Sequence, residues 1–570
     1  MRRIARRPAP DLDPGFLPHR HPVLRRVLAA RAIGGDDDLD LSLARLLPPD
    51  GLLDLERAAE LLDDAIESSS RIVVAGDYDA DGATGCAVAV RGLRLLGAAD
   101  VRYVVPDRRR HGYGLTPEIV DVAHELRPHL IVTVDNGISS VEGVARAKAL
   151  GIGVLITDHH LPGAELPAAD AIVNPNRPGD GFASKCLAGV GVMFYVLGAL
   201  RALRRERSAG GGTPNLASLL DLVALGTVAD VVPLDHNNRI LVEQGLRRIR
   251  AGRASAGVTA LLRVARRDVR RTVAADLGFA AGPRLNAAGR LTDMRRGIEC
   301  LLCDREDEAT RIAGELDALN AERREIEAEM QAQAAALLDA IDDAVPDAAV
   351  ALYREDWHPG VIGILASRVK DRLHRPAAAF APDADGEHLR GSVRSIPGVH
   401  VRDLLDTVAT RNPGVIERFG GHAMAAGLTI RRGSFDRFRE AFAAEADRVM
   451  PEEMRRAVVL TDGEIPGADL DLDLARSIRD AAPWGQGFPE PVFDGVFRVA
   501  GQRLVGGRHT KLRLRPPGAE RTLDAIAFNR EPPLVTSTDG EARMAYRFVV
   551  NAFRGEERPE LVVEEVAAAP

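Results

Sequence analysis

RIVVA (71–75), VRYVV (101–105), LIVTV (130–134), IGVLI (152–156) and AIV (171–173) are five short apolar runs between Arg71 and Val173. Helix-like stretches of 17 to 25 residues separate the first four, each long enough for a crossover helix. Buried strands alternating with helices are the pattern of a parallel, doubly wound sheet, so the expected fold class is α/β. In such a sheet, ligands bind beyond the carboxyl ends of the strands. What stands there is acidic. The first run leads into GDYDADG, with Asp77, Asp79 and Asp81; the third into VDNG, with Asp135; the fourth into TDHH, with Asp158, His159 and His160.

Carboxylates gathered at one sheet edge repel one another and raise each other's pKa unless a positive charge joins them. Divalent cations supply it most simply. Oxygen donors with one or two imidazoles suit Mg²⁺ or Mn²⁺ better than structural zinc. There are enough donors for two ions, the arrangement that stabilises both oxygens of a displacement at phosphorus. DxDxDG by itself also resembles a calcium loop, and Asp-Gly pairs are common turns. An EF-hand needs a Glu at loop position twelve; counted from Asp77, that position is Val88. The pair Cys300 and Cys303 has no partner pair or nearby His to complete a metal shell, so chance helical spacing explains it.

Outward from this segment, residues 1–60 are Pro- and Arg-rich and then helical in pattern. The α/β core is expected over 61–303. An Ala/Glu/Leu/Arg-rich run predicts one long connecting helix over 304–345, with Ile326, Met330, Ala334 and Leu337 at helical spacing. A second α/β unit is expected over 346–450. The strand-like runs VFRVA, KLRLR, AYRFVVNAF and ELVVEEV predict a small β-barrel within 451–570.

Hydrophobic residues make up 46% and charged residues 28% of the 570, which excludes a disordered or fibrous chain. The longest apolar stretch, Gly189–Leu200, falls short of the ~20 residues a membrane span needs. No hydrophobic signal follows the basic N-terminus, and four cysteines make no disulfide framework, so a cytoplasmic, membrane-free location is expected. The net charge of −8 excludes polyanion binding driven by total charge; a local patch is required. Only four of the 75 basic residues are lysine. GC-rich coding accounts for that bias, although arginine is also the residue best suited to bidentate phosphate contacts.

The ordered set GDYDADG, VTVDNG, ITDHH and GTVADVVPL (226–234) resembles the DHH phosphoesterase superfamily. That resemblance implies a DHH core, a long helix, a DHH-associated substrate-binding domain and an OB-like nucleic-acid-binding barrel. It also implies that Asp77, Asp79 and Asp135 hold one Mn²⁺ or Mg²⁺ ion, and Asp81, Asp135, His159 and Asp230 a second, with Asp135 bridging. His160 is then expected to face the scissile phosphate and Asp158 to orient the histidines. Catalysis would rest on His160, Asp158, Asp81 and Asp135.

Within the superfamily, GPRLNAAGR (282–290), DWHPGVIGILASR (356–368), GSVRSIPG (391–398), GGHAMAAG (420–427) and PWGQGFPEPVF (483–493) resemble the RecJ exonucleases. Trp484 and Phe488 depart from that family's usual Phe and Asn. The resemblance implies a 5′→3′ exonuclease specific for single-stranded DNA, releasing mononucleotides in recombination and repair. A single-strand-binding protein and a RecQ-type helicase are the implied partners, and the chain is expected to be a monomer.

Substrate contacts are expected from Arg108, Ser392 and Arg394 at a terminal phosphate, Gly420, Gly421 and His422 through close backbone approach, and Arg284 and Asn286 along the strand's path. Tyr113, Phe279 and Trp357 are the candidate stacking platforms, each also readable as core. The nine arginines of 247–271 are readable as an exposed helical face or as a DNA track. Two rivals remain: a phosphodiesterase for oligoribonucleotides or cyclic dinucleotides, and a non-catalytic DNA-binding scaffold.

Overall fold

The computed structural model describes residues 2–8, 10–107, 111–207, 214–339, 348–535, 540–553 and 555–568. Its central sheet consists of Ile72–Gly76 (β1), Val101–Val104 (β2), Leu130–Val134 (β3), Gly153–Thr157 (β4) and Ala171–Val173 (β5). All are parallel, in the order β2-β1-β3-β4-β5, so the strand order reverses at β1. β1 and β3 are buried throughout because both faces of the sheet are covered, and their sequences are unbroken apolar runs for that reason. Val74, Val132 and Leu155 face Ala80–Leu95 (α1), Gly189–Arg207 (α4) and Leu220–Ala229 (α5). Val73, Ile131 and Val154 face Pro117–Glu125 (α2) and Val141–Ala149 (α3). The doubly wound α/β expectation is met.

After Gly282–Leu291 (α6), the long helix runs Glu306–Asp339 (α7); the rest of its expected span, to 345, lies outside the described residues. Ala309, Ile312, Ala313 and Leu316 belong to the core's apolar cluster, whereas Met330 and Ala334 pack into the next unit. The helix is thus anchored at both ends. The second unit is a mixed sheet of Val350–Tyr353 (β6), Ala377–Pro382 (β7), His388–Arg394 (β8), Arg418–Gly421 (β9) and Ala425–Arg431 (β10), in the order β9-β10-β8-β7-β6 with only β6–β7 parallel.

Five strands close a barrel: Phe493–Val505 (β11), His509–Arg515 (β12), Leu523–Ala527 (β13), Glu541–Phe553 (β14) and Glu556–Ala568 (β15). β13 has no counterpart among the expected runs. Ahead of its helix Pro22–Ala29, the N-terminal segment also holds a strand, Arg3–Arg6, paired in parallel with Val458–Thr461. Trp484 and Phe488, where the family pattern is broken, stack on each other at 5.1 Å, with Arg31 over one ring and Arg239 over the other. They fill the joint between barrel and core, where Leu234 donates its N–H to the Gln486 carbonyl at 2.7 Å. Among the described residues, no helix is long and apolar enough to cross a membrane.

Candidate active site

Three strand ends and two helix termini build the site. Asp77 follows β1 directly. Asp79 caps α1, its carboxylate accepting the Gly82 N–H at 2.9 Å. A side chain at Gly82 would meet the Asp77 backbone at 2.6 Å, so only glycine lets this turn close. Because α1 begins at Ala80, DYDADG is a helix start and not a calcium loop. Asp81, fully buried in the first turn, accepts from the Gly189 and Val190 N–H groups at 2.6 and 3.1 Å, where α4 begins.

Asp135 extends β3 by donating its N–H to the Thr157 carbonyl, then turns with φ +64°, a conformation unusual for a residue with a side chain. Asp158, after β4, accepts four hydrogen bonds: from the His159, His160 and Ile138 backbone N–H groups and from the His160 ring at 2.8 Å. Asp230 ends α5.

These elements bring the donors together. Suitable atoms of Asp77, Asp79 and Asp135 lie within 4.8 Å of one another, as do those of Asp81, His159 and Asp230, and those of Asp135, His159 and His160. The His159 Nε2 atom is 3.1 Å from Asp135 Oδ1 and 3.5 Å from Asp230 Oδ2. All three atoms are buried and none makes a hydrogen bond. Burial, with the neighbouring His160 charge, lowers the ring's pKa to about 4. A neutral ring therefore turns its lone pair toward carboxylate oxygens.

Burial, reinforced by mutual repulsion, pushes Asp81 and Asp135 well above the carboxylate range, and Asp230 up to about 7. Lone pairs facing one another in a buried pocket are stabilised by a cation placed between them. The residues fit a divalent metal. His160 differs: burial works against its charge, but Asp158 prevails and raises it to about 9, leaving it cationic at neutral pH.

Tyr113, half exposed, brings its hydroxyl 3.2 Å from the His160 ring, and His422 from the second unit stacks on that ring at 6.3 Å. Asn286 accepts the Ala80 N–H at 2.8 Å and so braces the start of α1. Between the two units lies a cavity of about 640 Å³. Ser392, Arg394 and Gly421 line it, opposite Gly289 and Arg290 of α6; Arg394 donates to Ser392 Oγ at 2.9 Å. Gly420 is paired with Gly427 in the sheet and is not among the lining residues. Arg284 is held by Asp317 at 2.7 Å and by the Ala280 carbonyl. Arg108 lies outside the described residues.

Of the three aromatic candidates, Trp357 is core, 2% exposed with its Nε1 donating to Gln333, whereas Phe279 is 84% exposed. In the 247–271 cluster, Arg247, Arg248, Arg250, Arg263, Arg267 and Arg271 are paired with nearby acids.

Models of the DHH family N-terminal domain, the DHHA1 domain and the RecJ OB domain match residues 71–227, 347–447 and 461–565. The chain is 49% identical over 553 residues to the single-stranded-DNA-specific exonuclease RecJ of Escherichia coli strain K12, covering 96% of each chain. This chain belongs to the RecJ family. The solved structure of RecJ in complex with Mn²⁺ from Thermus thermophilus superposes with a TM-score of 0.80 at 32% identity, covering 97% of this chain and 76% of that one. The Mg²⁺ complex from the same organism gives 0.74 at 30%, covering 97% and 75%.

Some residues that shape this site carry no clear signal in the sequence. Asn174 and Asn176, just past β5, donate to the His160 and His159 carbonyls at 2.9 and 2.7 Å and hold the DHH loop. Their place at a fifth strand end was the available signal. Gly189 and Gly226 are small of necessity: a side chain would come within 2.5 Å of Asp135 Cβ, or 2.9 Å of Asp81 Oδ1. No local pattern reveals such contacts, which join segments distant in sequence.

Proposed function

We propose that this chain is a single-stranded-DNA-specific exonuclease that works from the 5′ end and releases mononucleotides by hydrolysis. The observation carrying this reading is the buried meeting of His159 Nε2 with Asp135 and Asp230 oxygens, unsatisfied by any hydrogen bond, beside a cavity lined by Ser392 and Arg394. The name borne by the Escherichia coli relative supports it.

Asp77, Asp79 and Asp135 would hold one Mn²⁺ or Mg²⁺ ion, and Asp81, Asp135, His159 and Asp230 a second. When bound, such ions acidify water and offset charge at phosphorus. The chain's own residues do the rest. Asp158 fixes the His160 ring, which as a cation donates to a non-bridging phosphate oxygen, while Tyr113 limits its rotation. Ser392 and Arg394 bind the terminal phosphate, Gly421 gives it a close backbone approach, and His422 closes the pocket over His160. The OB barrel extends the strand's path.

Such an enzyme would act in the cytoplasm, in recombination and repair, on strands supplied by a RecQ-type helicase and covered by a single-strand-binding protein. The test uses 5′- and 3′-labelled single-stranded and duplex DNA with Mn²⁺ or Mg²⁺. Mononucleotides should leave the 5′ end of the single strand first. Release from the 3′ end, equal attack on duplex, or a preference for dinucleotides would overturn the reading.

A further inference from the structure

Phe279 is the most exposed large apolar residue among those described, at 84%, and nothing in the fold requires it there. It sits in a π turn, Leu277–Ala281, that feeds directly into α6. Leu277, Ala280 and Ala281 in the same turn are buried, so the turn is anchored and only Phe279 points outward. The wide turn is itself unusual, a rare backbone form frequently found at functional sites. It packs on the last turn of α5: side chains built at Gly278 and Gly282 would meet Val228 and Ala229 at 3.1 and 3.0 Å. That turn ends on Asp230 of the acidic cluster. Beside Asp230, Val231 is 62% exposed and held at φ +66°, a second apolar side chain presented at the same rim.

α6 gives the spacing. Its far end, Gly289 and Arg290, walls the cavity that Ser392 and Arg394 line. One turn back, Asn286 holds the start of α1 at the acidic cluster. Phe279 lies beyond the near end. The order along one rigid element is therefore cavity, cluster, Phe279. From Arg290 to Phe279 the rise is roughly 16 Å, a reach of a few nucleotides. With a 5′ phosphate in the cavity, a strand crossing the cluster passes Phe279 on the 3′ side of the bond being cut.

We infer that Phe279 stacks on a base of the retained strand a few nucleotides from the 5′ end, holding the strand while each mononucleotide leaves. This rests on the proposed 5′→3′ exonuclease reading and deepens it. A flat ring accepts any base, so the contact adds grip without sequence preference. Because Phe279 belongs to the core and not to the second unit, its grip does not depend on how the cavity opens to release product.

The test pairs variants with substrates. kcat and KM are measured on 5′-phosphorylated single strands carrying one abasic site, moved stepwise through the first several nucleotides. Wild type should lose about tenfold in kcat/KM, mainly through KM, at one position of the abasic site. Phe279→Ala should show that loss on intact DNA and no further loss at that position. Phe279→Trp should restore the wild-type pattern, and Phe279→Leu should not. At 84% exposure none of these changes disturbs the core. An active wild type that is indifferent to every abasic position, or a Phe279→Ala variant matching wild type on intact DNA, would overturn the stacking role alone. A wild type that digests no single-stranded DNA would overturn the exonuclease reading along with it.

Discussion

Asp135 shows how much one residue carries in this site. It takes a left-handed turn at a strand end, packs against Gly189, and shares its Oδ1 neighbourhood with His159. Its charge is costly to bury, and a bound cation would offset that cost. Asp135→Asn removes the charge while keeping the shape. Single-strand cleavage should fall to background, and the Mn²⁺-induced rise in Tm should shrink, since a ligand stabilises only through the affinity it retains. Without metal the same variant should melt higher than wild type. A metal-free Tm that drops instead would mean that Asp135 is held by partners other than a cation. Asp158 acts differently, through four accepted hydrogen bonds. Asp158→Asn cannot accept from the His160 ring and three N–H groups in the same way, and turnover should fall about 10–100-fold. Gly189→Ala tests the packing limit: a methyl 2.5 Å from Asp135 Cβ should abolish cleavage while circular dichroism stays native.

At the scale of elements, what the sequence disclosed followed from how local each signal is. The core strands were legible because burial on both faces leaves unbroken apolar runs, and the strand-end acids because sheet topology dictates where ligands sit. Leu523–Ala527 was not legible: it is five residues long with Asp524 outward, too short and too polar on one face to stand out. Arg3–Arg6 was hidden because its partner strand is more than 450 residues away and half of its own side chains are charged. Arg284 looked like a strand contact by motif, yet Asp317 of α7 claims its guanidinium, a tertiary pairing no local pattern encodes.

That long helix carries its own prediction. Its two ends are fixed in different apolar clusters, so its length sets how the second unit faces the core. Inserting two alanines between the exposed residues Arg324 and Glu325 would turn the distal half by about 200°. Ser392, Arg394 and His422 would swing away while the acidic cluster stays intact. Cleavage should be lost and the Mn²⁺-dependent Tm shift retained. Loss of both would show that the helix serves the core alone.

At the scale of the whole molecule, the Asp494 carboxylate ties the N-terminal strand to the barrel, beside the weaker pair of Arg2 with Glu565 at 3.7 Å. Asp494, with a side chain 1% exposed, accepts from Arg6, Arg543 and Thr461 at 3.1, 2.7 and 2.6 Å. Burial alone would raise its pKa, but these donors outweigh it and hold the group below its ordinary value of 3.8. A carboxylate depressed in the folded state stabilises only while ionised. Its contribution is therefore full above 3.8 and disappears as pH falls through the lower folded value. Asp494→Asn leaves two guanidinium groups facing an amide and should cost about 2–3 kcal/mol at neutral pH. The gap in Tm between wild type and variant should hold from about pH 7 to about pH 5, then close as the solution is acidified further. Melting curves across that range test it, and a gap that persists unchanged into strong acid would show that shape, and not charge, joins the two ends of the chain.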